Sequence, residues 1–446
     1  MPQHFDLVFI NGIVVNHDGV GFRDVGVRDG RIAAIGSLDP ARAGEVIDCT
    51  GLHILPGVID TQVHFREPGA VHKEDLESGS LAAVMGGVTA VFEMPNTNPL
   101  TISEEALADK VARARDRMHC DFAFFVGGTH ANAFHAAELE RLPGAAGIKI
   151  FMGSSTGDLL VGDDEGLRLI LSHVRRRVSV HAEDEPRLRE RVDLRTPGDP
   201  SSHPVWRDVT AALRATQRLV RIAREEGARV HLLHVSTGEE MEFVRHQKDL
   251  VSVEVTPQHL TFDAGSYARL GTRLQMNPPI REARHRERIW QGVADGTADI
   301  LGSDHAPHTL AEKAKPYPDS PSGMPGVQTL VPVMLDHVAA GRISIERFVD
   351  MTSHGPARLF QIAGKGRIAA GYDADLTIVD LKKRKTILDA DMASRVGWTP
   401  YDGMILAGTP VGTIVRGRRV MWEGVLTLPS QGAPVNFLES LPKKKT

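Results

Sequence analysis

The sequence is poor in cysteine, in tryptophan and tyrosine, and in long apolar runs. Only Cys49 and Cys120 occur in 446 residues. Two cysteines exclude a disulfide framework and fit a reducing compartment. No apolar run reaches the ~20 residues of a membrane span. The N-terminal stretch lacks the basic-then-apolar pattern of a signal peptide, so the expected location is cytoplasmic. Charge of one sign is missing as well. The formal net charge is −5, and no basic patch offers a footprint for nucleic acid or an anionic membrane. The one basic run, Lys443-Lys444-Lys445, reads as a solvated tail. No Gly-x-Gly-x-x-Gly follows an early strand, which weighs against an open, doubly wound nucleotide-binding sheet.

Histidine, by contrast, is abundant: 20 residues against 4 Trp and 4 Tyr. Imidazole is the commonest metal ligand and a common acid/base, so the count raises the prospect of a metal enzyme. The first 50 residues read as short strands with turns at Asn16-His17-Asp18-Gly19 and Asp29-Gly30, the latter a strong hairpin signal. The same pattern returns from about residue 366. One small β-sandwich domain assembled from both chain ends, 1–55 and 366–446, is expected. Between them, apolar β-branched runs recur at 52–63, 88–94, 121–127, 146–152, 178–182, 229–235, 251–256 and 298–302. Helical stretches are expected at 74–85, 104–118, 165–177, 205–226 and 284–294, with Ser103 as an N-cap. Strands apolar on both faces and separated by helices indicate parallel strands with crossovers. The fold class is therefore α/β, a (β/α)₈ barrel of the TIM type spanning 56–365. The irregular stretches 193–204 and 317–325 are expected to be loops over the site.

A barrel carries its chemistry at the C-terminal ends of its strands. There the sequence offers Asp60, Gln62, His64 and Arg66 after the first run, and Asn96 after the second. His181 follows the fifth run, His231 and His234 the sixth, and Asp304, His305 and His308 the eighth. Any one histidine is more simply a satisfied core residue. His64, His181, His234 and Asp304 at equivalent heights on four strands form a ligand set suited to zinc or a related divalent ion. Lys149 lies inside the fourth run. A buried amine favours its neutral form, and a neutral amine can take up carbon dioxide as a metal-bridging carbamate. The plainer reading is a lysine paired with Asp304 or Glu183.

Over its full length the chain resembles the cyclic amidases of the amidohydrolase superfamily, the dihydroorotases, hydantoinases and allantoinases. The composite β domain, the barrel, Lys149, His181, His234 and Asp304 carry the resemblance. Arg66 two residues after His64, Asn96 in Met-Pro-Asn-Thr-Asn-Pro, and His308 in Ser-Asp-His-Ala-Pro-His look like the dihydroorotase group. Asn-Pro-Pro-Ile-Arg, which holds Asn277, and Ser-Gly-Met-Pro-Gly-Val-Gln-Thr are similar to further segments of that group. The resemblance implies reversible closure of N-carbamoyl-L-aspartate to L-dihydroorotate, a step of pyrimidine synthesis. It implies one zinc on His181 and His234, bridged by carboxylated Lys149 to a second on His64 and Asp304. A metal-activated hydroxide would attack the ring carbonyl, with Asp304 as acid/base. Arg66, Asn96, Asn277 and His308 would hold the substrate. The expected partners are a small-molecule substrate and a second copy of the chain as a homodimer, with association with aspartate transcarbamoylase open.

One position departs from the family. Gln62 stands where a second histidine of a His-x-His pair is usual. Three outcomes are open: Gln62 coordinates through its amide oxygen, the second ion binds weakly and leaves one held tightly, or the chain is a non-catalytic partner of the transcarbamoylase. Retention of Lys149, His181, His234 and Asp304 argues against the last. An allantoinase or hydantoinase is the rival enzyme, and Arg66 argues against it, because those substrates lack a carboxylate for it to grip.

Overall fold

The computed structural model describes residues 4–154 and 159–440, so the run Lys443–Lys445 lies outside the described residues. The Asp29-Gly30 turn forms as expected. Both residues take positive φ, 52° and 73°, and a type I′ turn joins Asp24–Arg28 to Arg31–Gly36. These two strands, with Phe5–Ile10 and Ala43–Asp48, make a four-stranded sheet. A seven-stranded sheet takes Ile13–Asn16, Gly19–Phe22 and His53–Pro56 from the start of the chain. Its other four strands, Leu376–Thr386, Ile405–Val415, Arg418–Trp422 and Val425–Leu426, come from the end. The seam is the antiparallel pairing of Leu376 with Pro56 and Ile378 with Ile54. Leu7, Phe9, Val25, Ile54, Leu376 and Ile414 pack into one core between the sheets.

Eight parallel strands in chain order form the barrel: Val58–Val63, Val88–Glu93, Asp121–Gly127, Ala145–Phe151, Val178–His181, Val230–Leu232, Val251–Val255 and Ile300–Leu301. Every residue in them is buried. That burial explains why they read as continuous apolar runs rather than alternating ones. The ring closes where Val63 pairs with His305, and the His64 N–H donates to the His305 carbonyl at 2.7 Å. Asp60 braces the same seam by accepting from the Ser303 N–H at 3.0 Å.

The N-terminal end of the barrel is plugged by aromatic rings. Phe92 meets Phe125, Phe360 and Phe437, the last of these from the chain's C-terminal stretch. The stretch 387–404 does not join the sandwich; it packs beside the barrel's other end, where the Trp398 indole donates to the His308 carbonyl at 2.7 Å. The polar strand ends lie at the opposite end of the barrel from this plug. Among the described residues no helix is long and apolar enough to cross a membrane.

Four of the five expected helices are shorter than their patterns predict, while the fifth forms in full as Ala283–Ala294. The stretch 104–118 is helical only over Glu104–Ala114, with Ser103 capping it as expected. The stretch 165–177 stops at Leu171, because the buried Glu140 carboxylate accepts from the Arg175 and Arg176 N–H groups at 2.8 and 3.0 Å and draws them off the helix. The stretch 205–226 is broken at Asp208, whose carboxylate caps a new helix, Val209–Glu226. The stretch 74–85 begins at Leu76, because Asp75 is its cap. The two irregular stretches meet each other, with the Gly198 N–H donating to the Tyr317 carbonyl at 2.6 Å.

Candidate active site

At the C-terminal end of the barrel a narrow recess is lined by Gln62, His64, Arg66, Asn96, Lys149 and Phe151, and by His181, His234, Asn277, Asp304, Ala306, Ser322 and Gly323. Every expected site residue but His308 is on that wall. Their sequence separation is bridged by the barrel, which brings eight strand ends to one rim. Arg66, His234 and Asp304 all adopt positive φ, 64°, 38° and 46°. Left-handed backbone is costly for residues with a Cβ, and such strain gathers at functional sites.

Two halves can be distinguished. In the first, His181 Nδ1 lies 3.1 Å from His234 Nε2. His181 Nε2 lies 3.0 Å from Glu183 Oε2. Burial alone would raise the Glu183 pKa, but Arg207 and His181 outweigh it and hold the carboxyl ionised. An ionised carboxylate only accepts, so His181 carries its proton on Nε2 and turns the Nδ1 lone pair toward His234. Burial lowers the pKa of both imidazoles, which keeps them neutral and able to ligate. A carboxylate behind a ligating histidine is the usual support of a metal ligand. Beside them stands Lys149, 1% exposed. Its amine has no hydrogen-bond partner among the described residues and lies 4.4 Å from the centroid of the Phe151 ring. Burial lowers its pKa from 10.5 to about 7. No ion pair to Asp304 or Glu183 occurs among the described residues, so the plainer reading of Lys149 is not what the structure has.

In the second half, Asp304 Oδ1 accepts from the Gln62 amide Nε2 at 3.0 Å and lies 3.3 Å from His64 Nε2. Gln62 Oε1 is buried without a partner among the described residues. His64 Nδ1 lies 2.8 Å from Asn96 Oδ1, so Asn96 holds His64 as well as lining the recess. Among the described residues no three His, Cys, Asp or Glu side chains converge as a metal cage. The Lys149 amine stands beside the His181–His234 pair on the wall of the recess.

His308 sits behind the wall. Its Nδ1 lies 3.0 Å from the Lys73 ammonium, which only donates, and its Nε2 lies 3.0 Å from the Ser322 carbonyl, which only accepts. The ring is therefore protonated on Nε2, and its contact with Arg66 Nη2 at 3.3 Å is packing between two donors. Expected as a substrate contact, His308 instead backs Arg66 and ties in the loop of Ser322. Arg66 Nε donates to the Pro307 carbonyl at 3.2 Å. Burial lowers its pKa to about 10, which leaves it a cation at neutral pH.

A sequence model of the amidohydrolase family matches residues 53–420. The chain belongs to the amidohydrolase family. Among curated relatives of this amidohydrolase, a dihydroorotase of Halobacterium salinarum is 38% identical over 422 residues, covering 90% of this chain and 96% of the relative. An allantoinase of Rubrobacter xylanophilus is 36% identical over 440 residues, covering 94% and 95%. The solved L-hydantoinase (dihydropyrimidinase) of Arthrobacter aurescens superposes with a TM-score of 0.91 at 30% identity, covering 97% of this chain and 99% of the other. Overall likeness thus separates these activities poorly, and the wall of the recess must decide.

Arg207, Lys73 and His203 were not foreseen from the sequence of this amidohydrolase. Each acts across a fold contact rather than within a motif. Ser322 and Gly323 fall in a segment noted for its likeness, without a role attached.

Proposed function

We propose that the enzyme is a dihydroorotase, which interconverts N-carbamoyl-L-aspartate and L-dihydroorotate with release or uptake of water, in pyrimidine synthesis. The observation that carries this reading is Arg66, a buried cation on the wall of the recess that also holds Asp304. Its Nε is committed to Pro307, and its Nη1 has no protein partner among the described residues. A guanidinium so placed suits a substrate carboxylate, which it can grip with charge-assisted hydrogen bonds. Dihydroorotate has that group, whereas allantoin and hydantoin do not.

The His181–His234 pair with Lys149 fits one divalent ion, zinc by its donor chemistry. The unpaired amine can attack carbon dioxide through its lone pair and lose one proton, and the resulting carbamate would be the missing anionic donor. A bound ion there would polarise the ring carbonyl and acidify the attacking water. The residues of the chain supply the rest. Arg66 orients the ring through its carboxylate. Asp304, steadied on Oδ1 by Gln62, keeps Oδ2 for the proton. In ring opening, the water oxygen bonds to the carbonyl carbon and its proton passes to Asp304. The carbon–nitrogen bond then breaks, and Asp304 returns that proton to the leaving nitrogen. Ring closure is the reverse. A homodimer, and association with aspartate transcarbamoylase, belong to the same proposal.

Purified protein loaded with zinc should interconvert N-carbamoyl-L-aspartate and dihydroorotate, followed by ultraviolet absorbance. Turnover of allantoin or hydantoin with none of dihydroorotate would overturn the assignment.

A further inference from the structure

His203 lies outside the recess, buried in the loop after the fifth barrel strand. Both of its ring nitrogens are committed. The Trp206 indole N–H, which can only donate, lies 3.3 Å from His203 Nδ1, and the Tyr317 hydroxyl is equally close. Nδ1 is therefore the acceptor. On the other side Nε2 lies 3.1 Å from the Met276 carbonyl, which can only accept. Nε2 therefore carries the proton. The two observations are independent and agree on one tautomer. Burial lowers the pKa of the ring to about 3, so it is neutral at any working pH and has that single N–H to give.

The same Nε2 lies 2.9 Å from the Asn277 side chain. Asn277 lines the recess. A protonated Nε2 must face the amide oxygen, because the amide nitrogen would set two donors against each other. The Asn277 amide is thus held one way round, with Oδ1 on His203. Its Nδ2 has no hydrogen-bond partner among the described residues.

We propose that His203 is a positioning residue: it locks the Asn277 amide so that Nδ2 is presented to the recess as a donor, and this wall selects a substrate bearing an acceptor oxygen there. The inference rests on the cyclic-amidase reading above and adds the device that sets the sign of one contact. His203 also joins three loops, its own, that of Asn277 and that of Tyr317, so the lock forms only when all three are seated.

Steady-state kinetics of wild type, His203→Leu, His203→Gln, Asn277→Ala and the double variant His203→Leu/Asn277→Ala test the proposal. Losing one neutral hydrogen bond to substrate should raise KM about five- to tenfold in His203→Leu, with kcat within about twofold. His203→Gln can still donate through its amide nitrogen and should recover most of the loss. On the Asn277→Ala background, His203→Leu should raise KM no further, because its only route to the substrate is gone. Thermal melts of each variant separate a folding loss from a binding loss, and if His203→Leu does not fold, the His203→Gln and Asn277→Ala comparison carries the test. An unchanged KM in His203→Leu, or a loss that adds in full to that of Asn277→Ala, would refute the positioning role while leaving the reaction in place. A wild type inactive on every ring tested would remove the reading and this inference with it.

Discussion

Replacing Lys149 by methionine should make the metal-free protein more stable while abolishing its chemistry. The Lys149 amine is buried without a hydrogen-bond partner among the described residues. A buried polar group left unpaired costs about 1–3 kcal/mol. Methionine is unbranched and of similar length, so it keeps the packing of the stem. Its sulfur takes the place of the lysine Cδ and its terminal methyl that of Cε, so the polar amine over the Phe151 ring is removed and an apolar, polarisable end is left beside it. The attraction of the charged amine to that ring, about 0.5–2 kcal/mol, is only partly lost, because a pKa of about 7 leaves much of the amine neutral. The net gain is then roughly 1–2 kcal/mol. An unfolding entropy of about 2.1 cal/mol/K per residue, over 446 residues, makes about 0.9 kcal/mol/K. The gain therefore corresponds to a rise in Tm of about 1–2 °C. Differential scanning calorimetry of chelator-treated wild type and Lys149→Met at pH 7 measures it. The same variant should retain no metal after dialysis and show no ring opening. A lower Tm would mean that the amine is satisfied in the folded chain by something other than an added group. Full activity would sink the carbamate.

The Gln62 amide and a second cation compete for the same carboxylate. Turning the amide would set Oε1 against Asp304 Oδ1, two acceptors at close range that only a cation could reconcile. Zinc-loaded wild type should therefore hold one ion per chain after dialysis, and Gln62→His two, by elemental analysis; two in wild type would show the amide turned and coordinating. Asp208→Ala removes the cap of Val209–Glu226 and the partner of Arg187, and should cost about 1–2 kcal/mol. Burial alone would raise the Asp208 pKa, but Arg187 and the Ala211 N–H outweigh it and keep it below 3.8. A depressed carboxyl stabilises the fold above its unfolded pKa and stops doing so as pH falls through its folded one. The gap in Tm between wild type and Asp208→Ala should accordingly be full at pH 6 and narrow as pH falls below about 3.8; a gap independent of pH would show that the charge contributes nothing.

The barrel was legible because its strands are covered on both faces, so each appears as an apolar run that ends where polarity returns. The eight runs match the eight strands in order. Helix ends were not legible. Glu140 pulls Arg175 and Arg176 out of a helix from 35 and 36 residues away, and no local pattern records that. The two chain-end β segments could be read as strands, but their pairing across Leu376 and Pro56 follows from burying the core they share.

Asp304, Lys149, His181, His234 and Arg66 could be singled out from the sequence alone, and the fold brings them to one recess. Each is a polar residue at or inside an apolar strand, where burial would be too costly without a purpose. Gln62 likewise declared a departure by its identity. What Gln62 does was decided only by the fold, which sets its amide nitrogen against Asp304. The surroundings of His308 and His203 were likewise set by the fold. A histidine's donor and acceptor sides depend on what faces each nitrogen, and those partners lie on other loops. Sequence states which groups are present; the direction in which each one donates is a property of the assembled rim.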